Sequence, residues 1–190
     1  DFAFSVLQSY MEQMKDGVIP NFISEGGGTA YNTADASLWF IVQAYRLFDS
    51  LSAANRKRLF HAACEIVLNY RYNNSLPFFC RNDMLIELRP VNGMALTWMD
   101  AVVNGQPVTP RNGAPIESTA LWYNALEMTE QMMEKRELRH LKGGEYSVTA
   151  KQLYKMIETL NSSLQKFFVN GAWADRLEGD NPVLEVRPNF

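Results

Sequence analysis

The chain has 190 residues, a formal net charge of -3, 47% hydrophobic residues and 21% charged residues. These values describe a globular chain and exclude a disordered or collagen-like one. They also argue against nucleic acid as a partner, which needs an excess of Lys and Arg, and against a membrane span, which needs about 18 or more consecutive apolar residues.

The predicted elements follow in chain order. A helix is predicted over 2–15, where Val6, Tyr10 and Met14 recur at four-residue spacing and Gly17 acts as a stop. A loop over 18–32 holds Pro20-Asn21 and Gly26-Gly27-Gly28. A second helix spans about 33–50, with Thr33 as N-cap and Leu38, Ile41, Tyr45 and Phe48 on one face. A third spans 52–70, capped by Ser52, with Leu59, Ala63, Ile66 or Val67, and Tyr70 as its apolar stripe. The stretch 71–115 lacks helical periodicity and carries Pro77, Pro90, Pro107, Pro110 and Pro115. Two apolar runs within it, 84–88 and 95–99, read as short strands. Connections of this length are uncommon and usually functional. A fourth helix begins near Pro115 and aligns Leu121, Ala125, Met128 and Met132. A fifth covers about 147–170, with Gly171 as its stop. A tail, 172–190, follows. Five amphipathic helices with long connections predict an all-α architecture, and the long connections fit a simple four-helix bundle poorly. The chain opens on Asp1 without a charged-then-apolar leader, which reads as a processed or excised piece.

Several chemistries find no support. His61 and His140 have no ligand partner at metal spacing. Gly26-Gly27-Gly28 lacks the Lys-Ser or Lys-Thr of a phosphate loop. Cys64 and Cys80 are too few for a disulfide framework and read as inert. There is no Gly-x-Ser-x-Gly. What remains is a polar and aromatic set: Trp98-Met99-Asp100, then Arg111, then Glu117, then Trp122-Tyr123-Asn124. Asp100 beside Trp98 is a carboxyl with an apolar neighbour, an environment that can raise its pKa and suit it to general-acid work. Taken residue by residue, Asp100 reads as a loop cap, and Trp39, Phe40, Trp98, Trp122 and Tyr123 as core. Spacing alone identifies no reaction.

A linked set of motifs does point to a family. Gly17-x-Ile19-Pro20-Asn21 precedes Tyr31-Asn32-Thr33-Ala34-Asp35-Ala36-Ser37-Leu38-Trp39-Phe40. Thr97-Trp98-Met99-Asp100-Ala101 leads to Val108-Thr109-Pro110-Arg111-x-Gly113-x-Pro115 and Glu117-x-x-Ala120-Leu121-Trp122-Tyr123-Asn124-Ala125-Leu126. The tail ends in Val186-Arg187-Pro188-Asn189. In order and approximate spacing these resemble the amylo-α-1,6-glucosidase domain of glycogen debranching enzymes, across almost the whole chain.

The resemblance implies a partial (α/α)6 toroid within a cytoplasmic enzyme, in which 1–190 is one fragment of the catalytic domain. It implies hydrolysis of the α-1,6-linked glucose at a trimmed branch point of glycogen or a branched α-glucan, with inversion and without a cofactor. Inversion needs two carboxyl groups about 6.5–9.5 Å apart. By the resemblance Asp100 is the general acid. Asn32, Asp35, Trp98, Arg111, Glu117, Trp122, Tyr123, Asn124 and Arg187 are candidate glucose contacts. The later helices and the catalytic base are expected beyond Phe190, which predicts an inactive isolated piece with an open apolar edge prone to self-association. Two alternatives stand beside this reading: a non-catalytic glucan-binding scaffold, and a glycosidase for another α-glucosidic linkage.

Overall fold

Five α-helices form where apolar residues recur at helical spacing. In the computed structural model, which describes residues 2–26 and 28–185, they are α1 (Phe2–Glu12), α2 (Ala36–Phe48), α3 (Ala53–Tyr72), α4 (Ile116–Lys135) and α5 (Ala150–Leu164). Arg187, with the motif at 186–189, lies outside the described residues. Capping chemistry sets the starts. The Ser52 hydroxyl accepts the Asn55 amide at 3.3 Å and opens α3. At α5, Thr149 and Gln152 form a reciprocal capping box, which starts the helix three residues after the predicted position. Residues 147–149 belong instead to the strand Tyr146–Thr149, paired with His140–Gly143. At α2 the N-cap position falls to Asp35 rather than Thr33, and its carboxyl makes no capping bond.

The all-α expectation, with the partial toroid built on it, is overturned. The described residues also contain thirteen short strands gathered in small antiparallel sheets, so the fold is mixed α and β. Most of the strands are two or three residues long. A strand that short shows no period-two alternation in the sequence, and its existence depends on a partner. The run 84–88 does contribute a strand, Ile86–Leu88, which pairs with Phe78–Cys80. The run 95–99 does not.

The helices bury their apolar stripes against one another. Helix α2 packs on α3 and α4, and α4 on α5. Leu38, Ile41 and Phe48 of α2 meet Leu59, Ala63, Ile66 and Val67 of α3 and Ala125, Leu126 and Met132 of α4 in a single core. Its aromatic centre is a ladder: Trp122 stacks on Tyr70 with centroids 5.8 Å apart, and Tyr70 meets Phe78 at 4.7 Å. Burying one such side chain contributes about 1.5–3 kcal/mol. No helix among the described residues is long and apolar enough to cross a membrane.

One sheet positions the start of α4. Ala114–Pro115 pairs with Arg176–Glu178, which pairs with Asn181–Val183. Gly113, just before it, has φ 91° and exchanges backbone hydrogen bonds with Leu88 at 2.7 and 3.2 Å. A Cβ at this position would overlap the Leu177 carbonyl oxygen, so both the dihedral and the close approach require glycine.

Candidate active site

Two distant segments are stitched together by backbone hydrogen bonds. The Ala34 amide donates to the Leu96 carbonyl at 2.8 Å, joining the entry of α2 to the loop that carries Asp100. From beneath, the Tyr70 hydroxyl of α3 donates to the Ala34 carbonyl at 2.8 Å. A third segment joins when the Ile19 amide donates to the Ser37 hydroxyl at 2.8 Å, which seats Ile19-Pro20-Asn21. The result is a cavity of about 400 Å³ whose walls include Asn21, Asp35, Trp39, Trp98 and Asp100. A neighbouring cavity of about 380 Å³ shares Asp35, Trp39 and Trp98 with it and adds Glu117 and Asn124. Both volumes are those of small-ligand sites.

Trp39 and Trp98 keep 49% and 46% of their surface exposed, so both rings present apolar faces to the cavities. The Asp35 carboxyl is buried, while Asp100 is exposed. Burial pushes the Asp35 carboxyl above its ordinary value. The Thr33 hydroxyl and the amides of Asp35 and Ala36 oppose the shift, and the charge of Asp100 reinforces it. The buried carboxyl of Asp35 therefore holds its proton to higher pH than a free Asp does.

Glu117, in the first turn of α4, is held from behind. Arg111 Nη2 donates to Glu117 Oε2 at 2.7 Å, and Arg111 Nη1 to Oε1. The same guanidinium donates to the Asp175 carboxylate at 2.8 Å and to the Asp175 carbonyl at 3.1 Å. Asp175 in turn accepts from Arg176 Nη1 at 3.0 Å. The side chains of Arg111 and Asp175 are essentially without solvent contact. Arg111 thus fixes a carboxylate in the cavity wall through a planar, two-pronged contact that only a guanidinium makes.

The structure brings Asp35, Trp98, Asp100, Glu117 and Asn124 together in the two cavities. It places Arg111 behind Glu117, outside the walls. Trp122 is fully buried in the core, and Tyr123 lies on the flank of α4, donating to Glu127 at 2.6 Å. Asn32 sits beside the site, its amide donating to Asn21 Oδ1 at 3.2 Å. Trp39, which reads as core by residue type, is a wall residue. Its spacing was the available signal: Trp39 follows Asp35 by four residues, one helical turn on the same face. Asp175 had no such signal, because it reaches Arg111 only through the pairing of Arg176 with Pro115.

Other reactive groups lie elsewhere. Burial pushes the thiols of Cys64 and Cys80 up to about 12, which leaves both protonated and poor nucleophiles. No group of three or more His, Cys, Asp or Glu able to hold a metal occurs among the described residues.

The family model for amylo-alpha-1,6-glucosidase matches residues 1–190. The chain belongs to the amylo-alpha-1,6-glucosidase family. That membership agrees with the resemblance carried by the linked motifs, and the segments 17–21, 31–40, 97–101 and 117–126 supply wall residues of the two cavities. Comparison with curated proteins returns no match. Within the amylo-alpha-1,6-glucosidase family, the paired carboxyls Asp35 and Asp100 and the flanking Trp39 and Trp98 form this member's candidate site.

Proposed function

We propose that this chain carries the general-acid half of an inverting glycoside hydrolysis. Its substrate is the α-1,6-linked glucose at a branch point of glycogen or a related limit dextrin. The observation that carries the reading is the convergence of Asp35, Trp98 and Asp100 on one cavity, from segments 65 residues apart in numbering. Family membership of the whole chain supports the same substrate class. The residues named in the walls of the two cavities include no Lys or Arg, which suits a neutral polyhydroxyl ligand better than a phosphate.

In this reading Asp100 donates its proton to the glycosidic oxygen as the bond to the anomeric carbon breaks. Water adds to that carbon from the opposite face and gives its proton to a second carboxylate, as inversion requires. Trp39 and Trp98 stack on the apolar face of the glucose ring. Glu117, oriented by Arg111, and Asn124 accept hydrogen bonds from its hydroxyls. No cofactor enters, because two carboxyls and water complete the reaction.

One observation favours a second assignment of the acid. Asp35 is a buried carboxyl whose proton affinity is raised, whereas Asp100 is exposed. The test is Asp100→Asn and Asp35→Asn in the natural protein, assayed for glucose release from a phosphorylase-limit dextrin, with binding followed by calorimetry. Abolished release with retained binding in Asp100→Asn supports the first assignment. Near-normal release in Asp100→Asn with loss in Asp35→Asn moves the acid to Asp35. Near-normal release in both variants removes the pair from catalysis.

A further inference from the structure

The cavity that holds Glu117 borders a larger groove and shares wall residues with it. This groove, of about 610 Å³, shares Glu117 and Ala120 with the candidate site and runs past Asn161, Leu164 and Gln165 to Trp173. Trp173 stands on a minimal hairpin in which Phe168–Val169 pairs with Ala172–Trp173. The turn is Asn170-Gly171, with φ of 52° and 81°, the left-handed pair that a tight two-residue hairpin demands. The hairpin sets Phe168 directly opposite Trp173, their centroids 5.2 Å apart. Both rings stay half in water, at 50% and 47% exposure.

An aromatic pair so exposed contributes little burial to folding, yet the hairpin presents one of its rings to the groove. The groove is also lined by Asn161 and Gln165, whose side-chain amides donate and accept at hydroxyl groups. A ring face beside amides matches the two faces of a hexose, apolar C–H above and hydroxyls at the rim. The residues named in the groove include no Lys or Arg, so an anionic ligand has no counter-charge there.

We infer that this groove binds the α-glucan chain leading away from the bond cleaved in the cavity, with Trp173 as its stacking platform. The inference rests on the glucosidase reading above and extends it from the cleaved glucose to the chain that carries it. Continuity through Glu117 and Ala120 places the polymer end of the substrate in the groove when the terminal glucose occupies the cavity.

The test is Trp173→Ala and Trp173→Phe in the natural protein. It uses a limit dextrin, a small α-1,6-linked disaccharide of glucose, and a linear malto-oligosaccharide as a calorimetric probe. Loss of one stacking face raises KM for the dextrin about tenfold in Trp173→Ala. Kcat on the dextrin and KM on the disaccharide stay unchanged, malto-oligosaccharide binding weakens in proportion, and Trp173→Phe recovers most of the loss. An unchanged KM for the dextrin overturns the inference. So does an equal loss on both substrates, or a shift in sedimentation showing that Trp173 meets a second copy of the chain. If the unaltered protein hydrolyses neither substrate, the glucosidase reading falls. The groove is then judged by calorimetry alone, and equal malto-oligosaccharide binding by the parent and Trp173→Ala overturns it too.

Discussion

Arg111→Met removes the guanidinium that joins Glu117 to Asp175 while keeping an unbranched side chain in the space. Asp175 then loses the bond at 2.8 Å to its carboxylate and the one at 3.1 Å to its carbonyl, and retains the Arg176 bond at 3.0 Å. Removing one partner of a buried pair costs about 3–5 kcal/mol, because the other charge stays behind in a poorly solvating place. Since Arg176 still faces Asp175, the lower figure, about 3 kcal/mol, is the expected loss. For a chain of this size each kcal/mol shifts Tm by about 2–4 °C, so thermal unfolding followed by circular dichroism falls by roughly 6–12 °C. Arg111→Met combined with Asp175→Leu leaves neither group stranded, and it recovers much of the loss, with a coupling of about 1–3 kcal/mol. Glucose release at a permissive temperature also drops, because Glu117 loses its orientation. A Tm within about 2 °C of the parent, or strictly additive effects in the double variant, would show that Asp175 does not depend on Arg111.

Three further outcomes follow. Asp35 carries a raised proton affinity in the folded state, so its contribution to stability is present at low pH and declines as pH rises through its folded pKa. Asp35→Asn therefore raises Tm near pH 7 relative to the parent, with a much smaller difference below pH 4, while it weakens glucan binding. Equal gains at both pH values would contradict the burial of that charge. Trp98→Ala and Trp122→Ala should separate cleanly: the half-exposed Trp98 loses substrate affinity with little change in Tm, whereas the fully buried Trp122 loses about 3–5 kcal/mol of stability. Denaturant midpoints beside KM values check both. Gly113→Ala forces a left-handed dihedral on an L residue and a clash with the Leu177 carbonyl, for a loss of about 2–4 kcal/mol. An unchanged urea midpoint would show that the strand approach relaxes freely.

The helices and most of their buried faces are legible along the chain. Leu59, Ala63, Ile66, Val67 and Tyr70 announce the inner face of α3 because helical spacing is a local property, readable without knowing what the helix packs against. The Ser52 cap was legible for the same reason. The motifs carried the family, and three wall residues of the cavity beside Asn21, namely Asp35, Trp98 and Asp100, stood among the candidates they supplied. The rest depends on contacts between segments far apart in the chain. Strands of two to four residues exist through their partners, so apart from the strand within 84–88 the mixed character of the fold was not legible along the chain. Residue type could not separate Trp122, sealed against Tyr70, from Trp98, open to the cavity, because both are large and apolar. Nor could it show that Arg111 turns its fork toward Glu117 and Asp175 instead of toward solvent. That choice depends on Asp175, 64 residues downstream and just before the strand Arg176–Glu178, whose buried carboxylate completes the charge balance.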